Sequence, residues 1–130
     1  MSLPHVRIVA AEVEVNGAFL ITQRRAEAEL PLMWEFPGGR VRDDESDGEA
    51  LRRSLRDRLG VETQVGHRVL HVTHAYSTYT LDMVVYRCGV VGTPKPLRVA
   101  DVRWVRPEAF GDYTFPGADQ LTVDKLLRDT

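Results

Sequence analysis

The sequence predicts a mixed fold of the α/β (α+β) class. Three observations carry that expectation. Runs rich in Val, Ile, Thr and Tyr recur along the chain, one segment bears leucines at helical spacing between an acidic start and a glycine stop, and the two kinds of segment alternate. The order is strands, loop, helix, strands, helix. At 130 residues there is room for one domain, 1–130, and one core.

Val6 to Val15 is the first strand, and Asn16-Gly17 supplies the positive-φ pair of a tight hairpin before Ala18 to Thr22 returns. Arg24 to Met33 is polar, contains Pro31 and reads as a loop. In Trp34-Glu35-Phe36-Pro37-Gly38-Gly39-Arg40-Val41, the Pro-Gly-Gly run forces a sharp bend that lets other groups approach the backbone. Ser46 to Leu59 is a helix: Asp43, Asp44, Glu45 and Asp47 crowd its start, Leu51, Leu55 and Leu59 mark one face, and Gly60 stops it. Thr63 to Thr73 and Thr78 to Val91 read as long strands, and a loop at Gly92 to Pro96 leads to the short strand Val102 to Val105. Ala118 to Arg128 closes the chain as a helix, with Leu121, Leu126 and Leu127 in its pattern and Asp119 near its start.

Composition narrows the function. A net charge of -2 and a pI near 6.1 provide no broad positive field for duplex nucleic acid. No apolar run reaches the roughly 18 residues of a membrane span, and Met1-Ser2-Leu3-Pro4 lacks the start of a signal peptide, so a cytoplasmic location is expected. Cys88 is the one cysteine, within an apolar stretch, and reads as a buried inert thiol. His67, His71 and His74 invite a zinc reading. Strand alternation, however, puts His67 and His71 about 13 Å apart on one face and His74 on the other, too far for shared coordination.

Gly39, Glu45, Arg53, Leu55, Gly60 and Val61 stand at fixed spacing within residues 39–61. That frame resembles the Nudix box, which runs Gly, five residues, Glu, seven residues, then Arg-Glu-apolar-x-Glu-Glu-x-Gly-apolar. Trp34-Glu-Phe-Pro-Gly-Gly, Thr22-Gln-Arg-Arg, Arg103-Trp104-Val105 and Phe115-Pro-Gly-Ala-Asp119 extend the likeness to MutT-like members, of the 8-oxo-dGTP or CTP pyrophosphohydrolase type, over essentially the whole chain. The resemblance implies a mixed sheet packed between helices, with the box as a loop, helix and loop. It also implies pyrophosphohydrolysis of a nucleoside triphosphate or diphosphate. Such chemistry draws on Mg2+ or Mn2+ held by carboxylates.

The acidic run of the box is altered. Its places read Arg53-Ser54-Leu55-Arg56-Asp57-Arg58, so a hydroxyl, one carboxylate and one guanidinium, at Ser54, Asp57 and Arg58, replace three carboxylates on one flank of the helix. A guanidinium has no acceptor and repels a cation. A further family glutamate, in the loop before Arg103-Trp104-Val105, aligns with Arg98. The resemblance leaves Glu45, Arg53 and Asp57 as the catalytic residues, Gly39 and Asp57 at a weak or absent metal, and Glu49 and Asp101 as further acidic candidates. Glu45 orders the box and Arg53 pairs with neighbouring acids. Arg58 and Arg98 are either surface charges or direct contacts to phosphate oxygens.

Arg25, Glu35, Gly38 and Asp119 are the expected substrate contacts. Asp119 either caps the last helix or meets the base, where a carboxylate favours an amino donor such as that of cytosine. Trp34 and Phe36 read as core or pocket wall and Trp104 as core. The partner expected is a nucleoside phosphate bound by a monomer or homodimer. Two functions stand: a Nudix pyrophosphohydrolase of weak or altered activity, and a catalytically inactive domain that binds or senses a nucleotide.

Overall fold

The computed structural model describes residues 3–129; Met1 and Ser2, part of the start read for a targeting segment, and Thr130 lie outside them. The strands are β1 (His5–Val15), β2 (Ala18–Gln23), β3 (Trp34–Glu35), β4 (Gly38–Arg40), β5 (Glu62–Ala75), β6 (Thr80–Val91) and β7 (Asp101–Val105). The helices are α1 (Asp47–Leu59) and α2 (Gly117–Arg128), with a short 3-10 helix at Pro107–Asp112. The last is absent from the sequence reading, because six residues are too few to show a period.

The strands form a mixed sheet in the order β3-β2-β1-β6-β5, with β4 also on β1 and β7 on β2. Asn16 (φ 52°) and Gly17 (φ 83°) close the β1–β2 hairpin as expected. β1 runs parallel to β6 from His5↔Thr80 to Val13↔Cys88, and the remaining pairs are antiparallel.

Alternation along β1 divides the core between the two sheet faces. Val9, Ala11 and Val13 pack under Ala50, Leu51, Leu55 and Leu59 of α1. Ala10, with Ile21, Met83 and Val85, packs under Phe36, Phe110, Phe115 and residues Val123 and Leu126 of α2. Fully buried Glu12 meets Lys125 of α2 at 3.6 Å and Arg87 at 3.5 Å, which ties that helix to the sheet by charge as well as by packing.

Three expectations need correction. Trp104 is 39% exposed rather than core: β7 pairs only with β2, so it is an edge strand with one side uncovered. Leu121 and Leu127 are each 44% exposed, because the buried stripe of α2 runs through Ala118, Asp119, Thr122, Val123 and Leu126 instead. The alternation through His67, His71 and His74 is broken by irregular pairing between Val65 and Leu70. His71 pairs with Asp82, and His74 packs edge-on against Tyr76. Cys88 is buried, and burial pushes its thiol up to about 11, which makes it a poor nucleophile.

Candidate functional site

A cleft of about 420 Å³ opens between β1, β6, the loop before β3, the Pro37-Gly38-Gly39 bend and the start of α2, within the size range of small-molecule sites. Val6, Ile8, Leu81 and Met83 give it an apolar side. Its charged lining comes from Arg24, Glu35, Asp119, Arg40, Arg58 and Glu29.

The register of β2 on β3 explains why Arg24 enters the cleft and Arg25 does not. Thr22 stands opposite Glu35, and side chains two apart share a face, so Arg24 lies on the Glu35 side. Its Nη1 donates to both Glu35 oxygens at 2.9 and 3.4 Å, and its Nε donates to the Glu29 carbonyl at 2.6 Å. The loop thereby becomes a wall. Arg25, expected among the substrate contacts, is exposed, pairs with Glu27 and lies outside this lining.

Asp119 and Glu35 are acidic residues of this lining. Asp119 is buried and its Oδ1 accepts from the Phe36 amide at 3.3 Å. The N-cap of α2 is Pro116, and Asp119 stands in the first turn, where its carboxyl also meets its own backbone amide. Burial holds the Asp119 carboxyl well above its usual range, and the negative charge of Glu35 adds to the effect. Burial raises Glu35 too, against the opposing charges of Arg24 and Arg58. Each carboxyl is thereby pushed towards its protonated form, in which it can donate as well as accept.

The box loop is held by Glu45 and Arg53. Arg53 donates from Nε to Glu45 Oε2 at 2.6 Å and from Nη2 to Oε1 at 2.8 Å, and Nη2 also reaches the Arg40 carbonyl at 2.8 Å. Hydrogen bonds from Arg53 pull the Glu45 carboxyl down to about 2. Glu45 also accepts from the Arg42 amide at 3.0 Å, so both its oxygens are engaged.

Behind this loop the bend presses on the sheet and on α1. A side chain at Gly38 would run into the Val9 carbonyl, and one at Gly39 into the Ser54 hydroxyl. Ser54 is buried and, among the described residues, its Oγ has no hydrogen-bond partner, whereas Asp57 on the same flank is exposed. Arg58 lines the cleft and donates from Nη1 to the Gly38 carbonyl at 2.6 Å.

The other candidates lie elsewhere. Asp57 is exposed and outside the lining. Glu49 serves the capping box of α1 with Ser46. Asp101 is bonded to the Val102 amide and to Arg103. Arg98 is exposed, and its amide donates to the Arg58 carbonyl rather than its guanidinium reaching the cleft.

The divalent cation implied by the resemblance needs several oxygen ligands in near-octahedral array. These residues do not fit it. Among the described residues no three His, Cys, Asp or Glu side chains converge to hold a metal, the Ser54 position contributes an orphaned buried hydroxyl, and a guanidinium already occupies the Gly38 carbonyl. Arg24, Arg40 and the orphaned Ser54 are the features that sequence reasoning missed. Arg24 carried a signal, since it continues the alternation of Thr22.

Comparison with known proteins agrees with this architecture. A family model described as a NUDIX domain matches residues 8–125. The chain is 45% identical over 123 residues to a CTP pyrophosphohydrolase of Escherichia coli strain K12, covering 94% of this chain and 91% of the relative. It is 27% identical over 125 residues to an 8-oxo-dGTP diphosphatase of Haemophilus influenzae, covering 94% and 92%. In three dimensions it is similar to the Escherichia coli ORF135 protein, with a TM-score of 0.84 and 30% identity over 97% of this chain and 91% of that one. The fold also matches a MutT protein from Methanosarcina mazei Go1, with a TM-score of 0.87 and 23% identity over 99% and 97%. Among the described residues no helix is long and apolar enough to cross a membrane.

Proposed function

The chain belongs to the Nudix hydrolase family, and on that premise we propose that its cleft binds a nucleoside phosphate whose phosphoanhydride it cleaves slowly. The observation that carries the reading is Arg58, whose guanidinium lies on the Gly38 carbonyl inside the cleft where the box has a glutamate. The lining of the cleft holds both acidic and basic groups for such a ligand. Glu35 and Asp119 offer carboxyl oxygens to a base, whose amino group is the complement of an acceptor oxygen. Arg58 and Arg40, in the same lining, offer guanidinium groups to the phosphates.

Each remaining residue has a positioning task. Arg24 sets Glu35 and braces the loop wall, the Phe36 amide sets Asp119, and Glu45 with Arg53 holds the box loop against Arg40. None of these groups replaces the missing carboxylates. A divalent cation in this family neutralises the anhydride and activates water, and its loss removes several kcal/mol of transition-state stabilisation, at about 1.4 kcal/mol per tenfold in rate.

The test is a panel of nucleoside triphosphates with magnesium and with manganese, read for both pyrophosphate release and thermal midpoint, beside the Escherichia coli relative. A ligand that binds only the folded state raises the midpoint. Stabilisation by at least one nucleotide, with release about 100-fold or more slower than in the relative, is the expected result. Turnover at the relative's rate overturns the proposal. Arg58 also favours a second reading, an inactive nucleotide-binding or sensing domain, and stabilisation with no turnover in either metal selects it.

A further inference from the structure

The mismatch between this cleft and a divalent cation points to more than lost activity. We infer that Arg58 is the resident cation of the site, so that the cleft takes the phosphate end of its ligand without a metal ion. The inference rests on the nucleoside-phosphate reading and specifies how that ligand is held.

Position is the first support. Gly38 is fixed by pairing with Ala10, and its own packing against the Val9 carbonyl leaves no room for any side chain. The direction of its carbonyl is therefore set by the sheet. That oxygen is a natural ligand for a hard cation, and Arg58 Nη1 holds it at 2.6 Å. Arg58 Nη2 lies over Gly39, 3.5 Å from where a Cβ would stand, so the guanidinium spans the bend.

Charge is the second. A guanidinium has five N–H donors, stays protonated at any working pH and matches phosphate oxygens in pairs. Only one donor is committed to Gly38 among the described residues. Arg40, at the same mouth, has an exposed side chain with no hydrogen bond or ion pair among the described residues. The Glu35 carboxyl, the acid whose charge Arg58 feels, is bonded to Arg24. Asp57, the one carboxylate among the three altered box positions, is exposed on α1 outside the lining. A metal ion entering here meets two guanidinium groups, whereas a phosphate finds both as partners.

The experiment is titration calorimetry of the full chain with CDP, dGDP and inorganic pyrophosphate, each in EDTA and again in excess magnesium. The expected result is a dissociation constant that agrees between the two buffers within about twofold, with Arg58→Ala weakening binding in EDTA by about tenfold or more. Arg58→Lys, which keeps the charge and loses the fork, falls between the two. Binding by the parent that appears only with magnesium overturns this inference and leaves the nucleoside-phosphate reading standing. Absence of binding by all three probes in both buffers overturns both. A folded Arg58→Ala variant that binds in EDTA as the parent does overturns the assignment to Arg58. Because the comparison of buffers uses the unmodified chain, it decides even if the alanine variant does not fold.

Discussion

Asp119 and Glu35 set against each other a need for burial and a dislike of it. Both carboxyls are raised, chiefly by loss of water, so the folded chain holds more protons than the unfolded chain above their ordinary values of 3.8 and 4.5. By linkage, their contribution to stability is full at low pH and is lost as pH rises through the folded range. Asp119→Asn keeps an oxygen for the Phe36 amide and cannot ionise, which removes the cost of holding a carboxyl protonated in the fold. At pH 7 the variant should be more stable than the parent by about 1–3 kcal/mol, as read from urea melts, and the gain should vanish below about pH 4. Glu45 has the opposite sign. Its carboxyl is lowered to about 2 by Arg53, so the stability it contributes is present above 4.5 and lost as pH falls towards 2. Glu45→Gln should lower the thermal midpoint at pH 7, and the two melting curves should converge near pH 2. A variant that melts with the parent at pH 7 would show that the loop does not depend on this pair.

At the scale of elements, α1 is the piece that best matches its sequence. Its predicted start at Ser46 is the N-cap of the observed helix, whose hydroxyl accepts from the Glu49 amide at 3.2 Å while the Glu49 carboxylate accepts from the Ser46 amide at 2.9 Å. Gly60, at φ 70°, ends it. Ser46→Ala should cost about 1 kcal/mol in chemical denaturation, and no change would mean that packing of Leu51, Leu55 and Leu59 alone fixes the start. Long periodic segments were readable because their pattern repeats several times. The two-residue β3 and three-residue β4 repeat nothing, and their form depends on β2 and β1. The same limit hid the site. That Ser54 is buried follows from Gly39 crossing over it, a contact between an apparent loop and a helix that spacing does not reveal. Arg24 and Arg25 are alike as residues, and only the register of β2 on β3 separates them.

For the whole molecule, the alternation of strands and helices foretold a mixed α and β fold and the family resemblance implied a sheet packed between helices, but the strand order is a property of contacts between distant segments. The pairs β1–β6 and β2–β7 join residues far apart in the chain, so ordering entropy is lost before these contacts form. Refolding from denaturant should accordingly take milliseconds to seconds by stopped-flow fluorescence, and a microsecond phase with full amplitude would contradict the topology. The parallel pairing of β1 with β6 also imposes a schedule during synthesis. Residues 5–13 leave the ribosome well before residues 80–88, their partners on one edge. At about 5–20 residues per second the wait is roughly 3 to 13 seconds. The β1–β2 hairpin and β4 cover only the opposite edge meanwhile. A nascent chain therefore carries the future centre of its sheet as an open strand, available to chaperones or to other unfinished chains until β6 arrives.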